Sequence, residues 1–207
     1  MKTRGSIRKV LLVLSFVLIL VGFWFSTTNA YTFVKGYMLF QTGHTNSVKN
    51  AEIPSKQHKE NFSQESIYSI RPNKGENIGN LLIPKLNATL PIFHGTDEEE
   101  LERGVGHFEE SVLPGEQDNS VLSGHRDTVF RKLGEVGKGD KLIVETSAGT
   151  FTYKIRYVRI VDKDDRTVIV PKPRATLTVS TCYPFDFIGA SPERYILVAD
   201  LISQKLT

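Results

Sequence analysis

Cysteine is nearly absent from this sequence: among 207 residues there is one, Cys182. An internal disulfide is therefore impossible. The fold does not need one. With 40% hydrophobic residues, the chain suits one globular domain plus an appendage, and a domain of about 130 residues buries roughly two-thirds of the surface its unfolded chain exposes. A clustered basic surface is also lacking. The formal net charge is +3, four of the basic residues (Lys2, Arg4, Arg8 and Lys9) crowd at the start, and the rest are interspersed with acids. That distribution excludes an electrostatic nucleic-acid interface. No repeat period is visible, which removes solenoids and propellers. Charge is missing altogether between Lys9 and Lys35.

That uncharged stretch defines the N-terminus. Val10 to Phe25 is apolar apart from Ser15 and Gly22, and with the uncharged residues that follow it the run supplies the span of about 20 residues that a transmembrane helix needs to cross a hydrocarbon layer about 30 Å thick. The organisation expected is a basic tail at 1–9 inside the cell, an anchor at 10–31 with Trp24 and Tyr31 at the outer interface, and the remainder outside. A cleaved signal peptide ending near Thr28-Asn29-Ala30 is the competing reading, and it gives the same orientation.

Residues 32–77 are expected to be an extracellular stalk. Most of the segment is polar and without period, although Phe62, Ile67, Tyr68 and Ile70 leave room for a short helix or a strap lying over the domain. From Ile78 the texture changes, and 78–207 is expected to be the folded domain. Short apolar runs at Ile78 to Ile83, Ala88 to Phe93, Ser120 to Ser123, Lys141 to Glu145, Phe151 to Val161, Ala175 to Cys182 and Arg194 to Ile202 read as strands. Thr96 followed by Glu99 reads as a capping box opening a short helix that stops at Gly104. Many short strands with few helices imply an all-β barrel or sandwich.

Within that frame Cys182 is placed for chemistry. Alternation puts Leu177 and Val179 on one face of its strand and Thr176, Thr178, Ser180 and Cys182 on the other. The thiol lies at the strand's end, because Pro184 cannot continue a ladder. A thiol nucleophile needs a proton partner and a donor for the oxyanion. Of five histidines, His44 and His58 fall in the stalk, whereas His125 ends a strand after a glycine and precedes Arg126 and Asp127, which can orient a loop. Arg194 opens the strand after Cys182, and its permanently charged fork suits a developing negative oxygen. Spacing alone leaves a solvated His125 and an ordinary surface Arg194 open.

Thr178-Val179-Ser180-Thr181-Cys182 closely resembles the TLxTC motif of sortases, with Val179 where the motif has Leu. His125 lies in a Ser-Gly-His-Arg-Asp-Thr segment like theirs, and Arg194 matches their essential arginine. The resemblance runs from Ile78 to Ile202 and is most like class D: there is no Asp-Pro-aromatic lid motif and no second hydrophobic span after Ile202. It implies a closed barrel of about eight strands with short helices, and a catalytic set of Cys182, His125 and Arg194. It further implies a thiol transpeptidase that cleaves an LPxTA- or LPxTG-type signal after its threonine and passes the protein to a peptidoglycan amine, through a Cys182 thioester.

The loop before the nucleophile strand, Asp162 to Arg174, is expected to line the signal groove. Its apolar centre supplies Val168, Ile169, Val170 and Pro171 as candidate contacts, and Thr181 is a further one beside the thiol. No cofactor is expected. Asp162, Asp164 and Asp165 lack the glycine and distal glutamate of a calcium loop, so no metal is expected either. Expected partners are signal-bearing surface proteins and a cell-wall amine on lipid II or a cross-bridge. A membrane-tethered β-domain that binds peptide or wall without catalysis is the alternative, and it would show no thioester.

Overall fold

In the computed structural model, residues 12, 14–24, 67–186, 189 and 191–207 are described. The chain divides into two units, Met1–Met38 and Leu39–Thr207. In the first, 14–24 is helical with every side chain exposed, among them Phe16, Phe23 and Trp24. Among the described residues no helix is long and apolar enough to cross a membrane. Much of the expected anchor at 10–31, the basic tail and 32–66 lie outside the described residues.

The second unit is a closed barrel of eight strands. These are β1 (Asn77–Ile83), β2 (Ala88–His94), β3 (Val105–His107), β4 (Asn119–Ser123), β5 (Lys141–Thr146), β6 (Gly149–Asp162), β7 (Thr176–Tyr183) and β8 (Glu193–Leu206). Around the barrel the order is β1-β2-β3-β4-β7-β8-β6-β5. The first two strands form a hairpin: β1 and β2 pair antiparallel across Pro84–Leu86, and Asn87 turns at φ 51°. Two pairs are parallel, β2 with β3 and β4 with β7. The first is separated by the short helix Glu98–Arg103. The second spans the whole β5–β6 arm, whose return to β1 closes the barrel.

Period two sorts the side chains. Leu81, Ile83, Leu90, Ile92, Leu122, Val144, Phe151, Tyr153, Leu177, Val179 and Leu197 fill the interior with Phe130. Each such side chain contributes about 1.5–3 kcal/mol of burial free energy. The opposite parity of β8 carries Ile196 and Val198, which with Val161 of β6 and Val168 form a second, smaller cluster on the outside. Ile196 and Val198 lie opposite Ser180 and Thr178, which share the alternation of Cys182 along β7.

Several local expectations shift. The helix is capped by Asp97, not Thr96, and the reciprocal partner is Glu100, whose Oε2 accepts the Asp97 N–H at 3.1 Å. Glu100 is buried over Gly95, a site with no side chain to compete, and this moves the box by one residue. β3 is not foreshadowed in the sequence, since three residues carry no measurable period. Residues 67–76 lie on the barrel as a strap. Tyr68 is buried and donates to the Pro114 carbonyl at 2.6 Å, Arg71 forks onto Glu116 at 2.7 and 2.8 Å, and Gly75 N–H donates to the His94 carbonyl at 2.7 Å. Burial pushes the Tyr68 hydroxyl up to about 12.

Candidate active site

Cys182 and Arg194 are direct cross-strand partners in the antiparallel β7–β8 ladder. Residues opposite one another in such a ladder project to the same face with Cα atoms about 4.5–5.5 Å apart. The β4–β7 ladder supplies the third group. It is parallel and ends with Ser123 beside Ser180. His125 lies as far beyond Ser123 as Cys182 lies beyond Ser180, so the two residues stand at the same end of neighbouring strands. The topology thus places His125, Cys182 and Arg194 at the same end of the barrel. Cys182 and Arg194 are partly exposed, and the His125 side chain is 34% exposed.

The backbone under His125 is pinned from both sides. Gly124 N–H donates to the Ser180 carbonyl at 3.3 Å, and the Thr181 hydroxyl donates to the Gly124 carbonyl at 2.7 Å. Beyond it, the His125 carbonyl accepts from the N–H groups of Thr128 and Phe130 at 3.4 and 3.1 Å. Gly124 is required by space: a Cβ there would come within 2.6 Å of the Phe130 ring and 2.7 Å of Val129. The imidazole Nε2 faces the Glu98 carboxylate at 3.4 Å. Arg194 donates from Nη1 to the carbonyls of Ser191 and Glu193 at 3.2 and 3.0 Å.

The groove residues separate into two kinds. Val168 is 7% exposed and packs under the loop against Val161, Ile196 and Val198. Ile169 is 50% exposed, Pro171 is exposed and Val170 is half-buried, so these three present surface. Asn119 sets the loop's course. Its Nδ2 donates to the carbonyls of Val168 and Val170 at 3.4 and 3.2 Å, and its Oδ1 accepts the Thr178 hydroxyl at 2.7 Å. Asp118 adds a bond from Lys172 N–H at 2.5 Å. Thr181 is placed differently from the expected substrate contact. It is 3% exposed, and its hydroxyl is committed to Gly124. Strand parity foretells this, because Thr181 shares the inward face of Leu177 and Val179.

Asp162 and Asp165 are engaged within their own turn. Asp162 accepts Asp164 N–H at 2.9 Å, and Asp165 takes the Thr167 N–H and hydroxyl at 2.7 and 2.6 Å. Those bonds hold the Asp165 carboxyl below its usual range. Two functional neighbours escaped the sequence reading. They are Asn119 and Glu98, whose contacts run across elements and so have no local signature.

The Sortase domain family model matches residues 81–202. Sortase D of Bacillus subtilis (strain 168) is 42% identical over 177 residues, covering 79% of this chain and 89% of the relative. Among solved structures, the catalytic domain of B. anthracis SrtD is 42% identical with a TM-score of 0.56, over 68% of this chain and 98% of that one. A Clostridium perfringens Sortase D5 transpeptidase is 29% identical with a TM-score of 0.59, over 64% of this chain and 83% of that one. With a lone partly exposed thiol at the end of a barrel strand, an arginine directly across from it and the family model spanning most of the barrel, the chain belongs to the sortases, the cysteine transpeptidases.

Proposed function

We propose that this sortase cleaves an LPxTA- or LPxTG-type sorting signal after its threonine and joins the freed carboxyl end to a peptidoglycan amine. The observation that carries the reading is the pairing of Cys182 with Arg194, with His125 on the same rim. The Cys182 thiolate adds to the threonine carbonyl carbon, and the oxygen takes the negative charge. Arg194 stabilises that oxygen or orients the substrate backbone. As the tetrahedral species collapses, the C–N bond breaks and the imidazolium of His125 gives its proton to the departing amine. A thioester on Cys182 remains. The acceptor amine then attacks the thioester, His125 takes up its proton, and the thiolate leaves.

Ile169, Val170 and Pro171 face the signal, while Val168 anchors the loop that carries them; Thr181 acts through Gly124. The basic start and the uncharged run that follows it support a single-pass membrane anchor, with the N-terminus cytoplasmic and the barrel outside. Intact-mass spectrometry of the enzyme with a panel of LPxTx peptides tests the proposal. An adduct on Cys182 equal to the peptide truncated after threonine is expected. Peptide cleavage by Cys182→Ala at the wild-type rate rules it out.

A further inference from the structure

His125 and Arg126 are consecutive, yet they differ in placement. The His125 side chain is 34% exposed, and that of Arg126 only 6%. From the His125 turn the Arg126 guanidinium reaches the connection between β7 and β8. Nη1 donates to the Pro184 carbonyl at 2.9 Å and to the Ser191 hydroxyl, and Nη2 donates to the Gly189 carbonyl at 2.9 Å. Nε faces the Asp127 carboxylate at 3.4 Å.

This connection runs from the thiol to the catalytic arginine. Pro184 follows Cys182 by two residues, and the Ser191 carbonyl is one of the two that accept from the Arg194 guanidinium, at 3.2 Å, beside that of Glu193 at 3.0 Å. One buried side chain therefore ties together the turn bearing the imidazole, the backbone just past the thiol and a residue bonded to the Arg194 guanidinium. A buried cation is a costly way merely to hold a loop, since apolar packing of similar volume often serves stability as well or better. What the guanidinium adds is geometry: five donors in a rigid plane can serve several acceptors in fixed directions, which a lysine cannot reproduce.

We propose that Arg126 is a positioning residue for transpeptidation, setting the mutual placement of His125, Cys182 and Arg194 by clamping the β7–β8 connection to the His125 turn. The inference rests on the catalytic reading of those three residues. In this role Arg126 takes no part in the bond-making steps. It acts through Pro184, Gly189 and Ser191, so its loss falls on the chemical step more than on substrate affinity.

The test uses Arg126→Gln and Arg126→Lys with a fluorogenic LPxTA peptide, normalising kcat to the fraction of natively folded enzyme by near-ultraviolet circular dichroism. The expected result is a fall in kcat of roughly thirtyfold or more for R126Q with KM within about threefold, because small misplacements of reacting groups cost rate. R126K is expected to keep the fold and recover only a minor part of kcat. Added methylguanidinium is expected to raise the R126Q rate and leave wild type unchanged. Native R126K with wild-type kcat overturns the proposal, and so does a loss in both variants explained wholly by a smaller folded fraction. Cys182→Ala, His125→Ala and Arg194→Ala run alongside. If any of them keeps full activity, the catalytic reading itself fails. If all three are inactive while folded R126Q matches wild type, only the role of Arg126 fails.

Discussion

The Thr181 hydroxyl donates to the Gly124 carbonyl at 2.7 Å, so the residue before the nucleophile holds the residue before the histidine. Both groups are buried, and an acceptor left unsatisfied there costs about 1–3 kcal/mol. Thr181→Val, which keeps the shape and removes the donor, is expected to lower stability by that amount and to reduce kcat. Thr181→Ser is expected to restore most of both. Urea unfolding and peptide cleavage on the same preparations check this, and unchanged kcat in T181V removes the coupling.

Val168 and Ile169 are adjacent but are expected to fail in different ways. Val168→Ala removes methyl groups from the outer cluster with Ile196 and Val198 and should cost about 1–2 kcal/mol of stability. Ile169→Ser, at a half-exposed site, should leave stability within about 0.5 kcal/mol. Its effect should appear as a changed ranking of LPxTx peptides, since lost pocket contacts are worth about 1–3 kcal/mol. A thermal melt and a peptide-library assay separate the two.

Stability should fall on acidification through the His94–His107 pair. The rings stack with Nδ1 atoms 3.0 Å apart, and His107 Nε2 faces the Val112 carbonyl at 2.9 Å, an arrangement that suits a neutral His107. Burial pulls His107 down to about 4 and His94 downward as well, with Glu76, Glu109, Glu116 and Arg71 as the charges around them. Between pH 6.5 and 4 the unfolded chain therefore binds a proton at His107 that the folded one refuses. The stability present above pH 6.5 is lost as pH falls through that window, by roughly 3 kcal/mol at its lower end. His107→Gln should flatten the profile across this range, and urea midpoints from pH 7 to pH 4 measure it.

Gly115 admits no side chain. It sits at φ 92°, and a Cβ would lie 2.1 Å from the Phe151 ring. Gly115→Ala is expected to cost more than about 2 kcal/mol through overpacking and backbone strain together. A fall in thermal midpoint checks this, and a midpoint equal to wild type contradicts it.

Most strands were legible before any coordinates, because alternation is local. The run from Thr176 to Cys182 shows in its own letters which side chains share the thiol's face, and Pro184 shows where the strand stops. Partners were not legible. That β4 lies parallel to β7, or that β1 closes on β5, depends on pairings between segments far apart in sequence. The strap at 67–76 was legible only as one of two alternatives for Ile67, Tyr68 and Ile70, because its partners Pro114 and Glu116 arrive from another loop.

From the letters alone came the lone thiol, the period-two faces and, through three motifs in order, the catalytic candidates. Folding decided how they meet. The β7–β8 register sets Arg194 opposite Cys182, the parallel β4–β7 pair brings His125 to the same rim, and the guanidinium of Arg126 joins the two turns. It also turned Val168 inward beside the exposed Ile169. The physical reason is that a strand's period states which way each side chain points, while what it points at is settled by long-range packing and hydrogen bonding.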